Sequence, residues 1–430
     1  MDRLYSNAAD IGKQVLVSGW MFQKRDLGGV KFFLLRDRAG KIQVTLKKGN
    51  VSDALLQQFE GLGREDCVSV TGTVSASKQA PGGREIIPEE IKVIARAESP
   101  LPFETKEQIV SGLDIRFDYR FLDLRSPKVQ ALFTLKDAVL AGVRDYFSSS
   151  GFVEIHTPVI QAAGAEGGAT LFPLIYYNKE AFLRQSPQLY KQIMMASGLD
   201  RIWEIGPAFR AEKFHTRRHV SEFLSIDTEI AWIESEEDVL KVAEGLVVHA
   251  IKHAAKQARA ALDELGAKLA IPELPFKRLE YDQALSILAK NGIDLEWGSD
   301  MEDAQEKVLG QEMLKHGHEW YFITKYPTKV KPFYIMSDGK YSRGIDLANR
   351  GMEIASGGQR EHRHDVLTKA FLAKGLDPAK FKFYIDAFRY GMPPHGGFAI
   401  GAERLVQQIA GVENIKECIL FPRTPERLVP

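Results

Sequence analysis

The chain is 430 residues long, 44% hydrophobic and 27% charged, which suits a soluble, well-packed protein of about two to four domains. Its 57 basic and 57 acidic residues cancel, so no nucleic-acid partner is announced by overall charge and any basic surface must be local. Two distant cysteines, Cys67 and Cys418, exclude a disulfide framework and a thiolate metal site, and neither an apolar run of membrane-spanning length nor a signal-like start is present, so a reducing, cytoplasmic setting is expected.

Residues 13 to about 98 read as five short strands separated by Gly and Asp turns: Val15–Trp20, Val30–Leu35, Ile42–Leu46, Cys67–Val74, and Glu85–Ile87 running on to Val93–Ile94. One helix, Ser52 to Leu62, falls between the third and fourth. That order predicts an OB-type barrel over 1–100, a fold that often binds single-stranded nucleic acid. Ser99-Pro100-Leu101-Pro102 is a stiff break, and 101–125 is expected as a linker.

Ser126 and Pro127 have the chemistry of an N-cap and a first helical residue, and Leu132, Leu135, Val139, Val143 and Phe147 follow at helical spacing to Gly151. Gly151–Ile160 reads as a strand broken by Pro158. An acidic loop, Ala165–Ala169, carries Glu166. Gln185–Lys191 enters a helix whose Met194 and Met195 read as core filler. Next, Ile205 to Arg210 and Phe223 to Glu229 alternate on either side of Lys213–Arg217, predicting two antiparallel strands around a basic loop. Residues 236–256 form a predicted amphipathic helix, 257–318 a charged helical insertion, and Trp320–Thr324 and Pro332–Met336 predicted strands.

Two dense segments close the chain, Asp346–Arg363 and Gly396–Leu405. The second ends in Glu403-Arg404 at a predicted helix start, where the backbone dipole is positive. The segment around Arg210, Glu212, Arg218 and Phe223 resembles motif 2 of the class II aminoacyl-tRNA synthetases. The helix and Pro158 strand resemble motif 1, and Gly397–Arg404 resembles motif 3, with Ala399 and Ala402 at relaxed positions. Across nearly the whole chain the pattern is similar to archaeal-type aspartyl-tRNA synthetases. It implies an α+β protein: an N-terminal OB-fold anticodon-binding barrel, then a class II catalytic domain over 126–430, an antiparallel sheet flanked by helices.

The resemblance implies ATP-dependent activation of L-aspartate to aspartyl-adenylate and transfer to the 3′ end of tRNA(Asp), with Mg²⁺ required. Joining two anions needs fixed positive charge more than a strong base. By the family pattern Arg210 and Arg404 are the catalytic arginines. Arg210, Glu212, Arg218, His219, Phe223, Glu353, Gly401 and Arg404 hold ATP, and Asp346, Glu353 and Ser356 hold the metal. Glu166, Gln188, Lys191, Arg210, Asp227, Ser356 and Arg360 hold aspartate. Lys191 with Arg360 favours a β-carboxylate over the carboxamide of asparagine. Arg25, Phe32 and Gln43 would read the anticodon. Strict enzymes of this type resemble one another in a lysine where Pro81 aligns and a tryptophan where Phe22 aligns, so acceptance of tRNA(Asn), feeding an amidotransferase, is the expectation here. Motif 1 implies a homodimer. The competing readings are an asparaginyl enzyme and a non-catalytic RNA-binding paralogue; the latter predicts lost motif arginines, and none is lost.

Overall fold

The computed structural model describes residues 2–104, 111–162, 171–212 and 216–430. The chain divides into two compact units, Met1–Gln130 and Ala131–Pro430.

In the first unit the strands Gln14–Asp26, Val30–Asp37, Gly40–Lys47, Arg84–Ala95 and Cys67–Ala76 pair in that order, and the last pairs back with the first, closing a barrel. Alternation explains the closure: Val15, Val17, Phe33, Leu35, Val44, Val68, Val70 and Ile86 point inward and are buried. Helix Asp53–Glu60 is capped by the Ser52 side chain and drops Leu55 and Phe59 into the same core. Among its described residues, the stretch expected as a linker carries the short helices Leu113–Asp118 and Arg120–Asp123, and Arg125 bonds Glu65 at 2.9 Å while lying over the Trp20 ring.

In the second unit an eight-stranded sheet runs Lys277–Glu280, Trp320–Thr324, Gly344–Asn349, Met352–Gln359, His395–Gly401, Glu222–Ala231, Arg201–Phe209 and Val153–Glu154. All central pairings are antiparallel, and only the outermost pair at each edge is parallel. The helices Pro127–Ser149 and Glu236–Gln257 cover one face, where Ile226, Ile354, Phe398 and Ile400 meet Leu135, Val139, Leu246 and Val247. The opposite face is left for the site. Among the described residues no helix is long and apolar enough to cross a membrane.

Two expectations change, and a third gains detail. The segment 257–318 holds the helices Arg259–Leu265, Tyr281–Lys290 and Asp303–Lys315, and also a strand, Lys277–Glu280, that extends the sheet; Leu279, Tyr281, Leu288 and Leu309 share a core with Tyr321 and Ile323. Pro332–Met336 is not a strand. Pro332 has no N–H to give a ladder, a turn closes from Ile335 N to Pro332 O at 3.0 Å, and only an isolated bridge from Ile335 to Arg360 remains. Gly151–Ile160 shrinks to Val153–Glu154, with Ile160 belonging to a separate small sheet, because Pro158 interrupts it.

Candidate active site and RNA-binding face

The hairpin Arg201–Phe209 and Glu222–Ala231 pairs Glu204 with Asp227 and Phe209 with Glu222, so Phe223, Ser225, Asp227 and Glu229 alternate onto the open face of the sheet. Their neighbours on the next strand are small: Gly401 opposite Ser225, Ala399 opposite Asp227, Gly397 opposite Glu229. One strand further, Ser356 pairs with Ala399 and Asp346 with Ser356. Small residues down the middle leave a trough walled by charged ones. A Cβ at Gly397 would lie 2.1 Å from Thr228 O and 2.3 Å from Glu229 Oε2, so the trough depends on its absence.

The resulting cavity has a volume of about 330 Å³. Its lining brings together Gln188, Arg210, Glu212, Arg218, His219, Phe223, Asp227, Asp346, Glu353, Ser356, Arg360, Gly401 and Arg404. Glu166 lies outside the described residues. Lys191 does not reach the wall; it stands behind Asp227, its Nζ 3.0 Å from Asp227 Oδ1 and 3.5 Å from Glu229 Oε2. Arg360 grips Glu229 through Nε at 2.8 Å and Nη2 at 3.2 Å, and also donates to Gly397 O. Two cations and two carboxylates thus form one buried network around Glu229. Burial pushes the Glu229 carboxyl up, but Arg360 and Lys191 outweigh it and hold the group below the usual range.

Arg210 is the first residue beyond its strand, and its backbone N–H bonds Ser221 O at 2.9 Å, extending the hairpin. Its guanidinium lies 5.5 Å from the centre of the Phe223 ring, and its Nε is buried without a hydrogen-bond partner among the described residues. A buried charged donor without an acceptor is costly unless a ligand supplies one. Arg404, in the first turn of helix Ala402–Ala410, donates to Glu353 O at 3.1 Å. Arg218 is held by Glu306 at 2.9 Å, by Asp303, and by Gly351 O. Burial, and then the nearby arginines, press the His219 imidazole below its usual pKa.

Glu353 and Asp346 converge through a bulge. Leu347 pairs with Ala355 but Ala348 pairs with Glu353, leaving Ile354 as the extra residue. In a regular strand Glu353 and Ser356 would point to opposite faces; the bulge re-aims Glu353 into the cavity beside Asp346. Asp346 Oδ2 accepts from Lys331 Nζ at 2.6 Å, whereas Oδ1 is buried with no hydrogen-bond partner among the described residues. Enclosure in the cavity, together with Asp346, pushes the Glu353 carboxyl upward. Adjacent oxygen donors with an unsatisfied lone pair and mutual repulsion fit a hard divalent cation such as Mg²⁺. Glu306, pushed up to about 7 by burial and the charge of Glu353, adds to the same acidic cluster. Sequence reading missed Lys331, Asp303 and Glu306, which no local pattern marks, whereas the alternation already places Ser225 on the face of Phe223 and Asp227.

On the barrel, Arg25 pairs with Phe32 and Phe32 with Thr45, while Gln43 stands two residues along from Thr45. Phe32 is half-buried on the outer face, with Phe33 and Leu35 filling the core instead. Gln43 Nε2 donates to Glu85 Oε2 at 2.8 Å, and Thr45 Oγ1 donates to the same oxygen at 2.6 Å, so Glu85 and Thr45 join the predicted residues. Phe22 is buried, with Arg36, Lys41 and Arg64 over its ring. Pro81 opens an exposed 3₁₀ turn, Pro81–Gly83.

Residues 15–94 match the OB-fold nucleic acid binding domain, and residues 112–425 match the tRNA synthetases class II (D, K and N). An aspartate–tRNA(Asp) ligase from Thermococcus kodakarensis is 50% identical, the match covering 97% of this chain and 97% of that one. An aspartate–tRNA(Asp/Asn) ligase from Methanopyrus kandleri is 44% identical over 97% of this chain and 96% of its own. The crystal structure of asparaginyl-tRNA synthetase from Pyrococcus horikoshii complexed with asparaginyl-adenylate superposes with a TM-score of 0.94 at 35% identity, covering 100% of both chains. The class II model spans well over half of the chain, and relatives at 44% and 50% identity match it over 97% of its length, so the chain belongs to the class II tRNA synthetases of the D, K and N group.

Proposed function

We propose that this protein is an aspartate–tRNA ligase that uses ATP. The aspartate α-carboxylate oxygen attacks the α-phosphorus, the bond to pyrophosphate breaks, and aspartyl-adenylate forms. The 3′-terminal ribose hydroxyl of tRNA then attacks the aspartyl carbonyl and AMP leaves. Arg210, with its unsatisfied Nε, binds the α-phosphate and the attacking carboxylate. Arg404 and Arg218 hold the outer phosphates, for which Arg218 must leave Glu306 and Asp303. Phe223 stacks on adenine and Glu212 accepts from its amino group. Asp346, Glu353 and Ser356 are the residues that would hold Mg²⁺, which supplies charge neutralisation on the phosphates when bound.

The observation that carries the choice of aspartate is Arg360, a buried cation that lines the cavity beside Gln188 and Asp227, with Lys191 supplying charge from behind Asp227. A carboxamide beside Arg360 offers its guanidinium a weaker acceptor than a carboxylate does, a cost of about 1–3 kcal/mol. Aspartate-dependent ATP–pyrophosphate exchange, run in parallel with asparagine and lysine, tests this. Exchange with asparagine in place of aspartate overturns it.

Acceptance of tRNA(Asn) is the second element. It is supported by Pro81, which gives its exposed turn neither a donor nor a charge, and by relatives named for both tRNAs. Purified tRNA(Asp) and tRNA(Asn) should be charged comparably, supplying an amidotransferase, and strict preference for tRNA(Asp) refutes it. The enzyme acts in the cytoplasm as a homodimer through the motif 1 region, where Val153 and Ile160 are 43% and 45% exposed. A monomeric sedimentation profile would exclude the dimer.

A further inference from the structure

On the far side of the sheet from the cavity, the helices Pro127–Ser149 and Glu236–Gln257 run against each other. His249 and His253 are four residues apart on the second helix, which puts both imidazoles on one stripe of its surface. Asp145 of the first helix faces that stripe. One ligand atom from each of Asp145, His249 and His253 lies within 4.8 Å of the other two. We propose that these three side chains form a binding site for a divalent transition-metal ion of the Zn²⁺ class, separate from the active site and tying the two helices together.

The ordinary alternative is a surface ion pair, since His249 Nε2 and Asp145 Oδ2 are 2.7 Å apart. That pair accounts for two of the three groups. It leaves His253, a half-buried imidazole with no hydrogen bond or ion pair among the described residues. A ring placed beside an imidazole–carboxylate pair with nothing to bind is poorly explained as packing alone. It is explained as the third donor of a metal site. Donors around an ion bound at 2.0–2.2 Å sit about 3 Å apart, so only small rotamer changes are needed to close the set.

The backbone beneath the three groups is fixed by two close approaches. A Cβ at Gly142, one turn before Asp145, would lie 2.7 Å from His253 Cβ and 3.0 Å from Ala250 Cα. In the reverse sense, a Cβ at Gly245 would lie 2.5 Å from the Tyr146 hydroxyl, which bonds Val242 O, and the Tyr146 ring packs 5.7 Å from that of His249. A glycine on each helix therefore sets the spacing on either side of the cluster, so the donors are carried on rigid elements. Two imidazoles and one carboxylate prefer Zn²⁺, Ni²⁺ or Co²⁺ to Mg²⁺, which separates this site chemically from the all-oxygen pair Asp346 and Glu353. Three protein donors leave coordination positions for water.

The test uses the full-length, metal-stripped protein titrated with Zn²⁺, with Co²⁺ as the spectroscopic probe. The expected result is one Co²⁺ per chain with visible d–d absorption, displaced by Zn²⁺ and not by excess Mg²⁺. Zn²⁺ should also raise the thermal midpoint of the wild type. His249→Ala/His253→Ala should abolish both signals while its metal-free melt matches that of metal-free wild type. Asp145→Asn, which keeps size and polarity, should weaken binding. Absence of binding to the wild type, or an unchanged stoichiometry in the double variant, overturns the proposal. Because the readouts are metal binding and melting, the outcome does not depend on which amino acid the active site activates.

Discussion

Glu229 offers the sharpest test of the buried charge network. Glu229→Gln removes one charge while keeping nearly the same volume. The carboxylate accepts two hydrogen bonds from Arg360 and lies 3.5 Å from Lys191, with no solvent exposure. In the variant the amide turns an NH₂ toward one guanidinium or ammonium donor, and Arg360 loses the carboxylate it grips while Lys191 keeps Asp227. Removing one partner of such a pair costs about 3–5 kcal/mol. An unfolding entropy of about 2.1 cal/mol/K per residue gives about 0.6 kcal/mol/K over the unit Ala131–Pro430, so the midpoint should fall by about 5–8 °C at pH 7. The sign with pH follows from the carboxyl being held low in the fold. Its contribution is present above the unfolded value near 4.5 and is lost as pH falls below it, so the two melts should converge in acid. Calorimetry of both proteins at pH 7 and pH 4 measures this. Midpoints within about 1 °C at pH 7, or a gap that persists unchanged in acid, would refute the network as drawn.

Other consequences are equally direct. Arg404→Ala should lower the rate of ATP–pyrophosphate exchange by about 10²–10³-fold, as loss of a fixed donor to developing charge does, with an unaltered melt. Phe32→Ala should weaken tRNA charging by the loss of about 1–3 kcal/mol of base stacking, read as kcat/KM for tRNA, and leave exchange untouched. His395 lies between Gln192 and Pro393 O, and burial pushes it down to about 4. It is neutral in the fold and protonates more readily when unfolded, so stability is complete above about pH 6.5 and declines toward pH 4 by about 3 kcal/mol. Denaturant unfolding of His395→Gln at pH 7 and 4.5 should show a smaller acid-side loss than wild type.

The barrel and the motif 2 hairpin were legible because alternation is a local property: Phe33 and Leu35 inward against Phe32 outward, and Ser225, Asp227 and Glu229 on one face, follow from a period of two. The converging arginines were legible only through the spacing of motifs. Four features resisted. Glu353 reaches the cavity through a bulge at Ile354, and a one-residue slip leaves no trace in composition. Lys331 on Asp346 and Glu306 on Arg218 are contacts between distant segments, with nothing local to mark them. Lys191 was expected to meet ligand, yet its ammonium is engaged by Asp227 behind the wall, because an amphipathic helix pattern gives the direction of a side chain and not its depth. Pro332–Met336 looked strand-like from its aromatic and branched residues, and the missing proline N–H decided otherwise.

The bare backbone at Gly397 has a consequence for redesign. Any methyl there would collide with Thr228 O and evict the acid that keeps Lys191 and Arg360 in register, so that wall cannot be trimmed or padded to suit a new amino acid. Engineers seeking a different cargo must work instead at Gln188 and Ser225, whose side chains line the cavity.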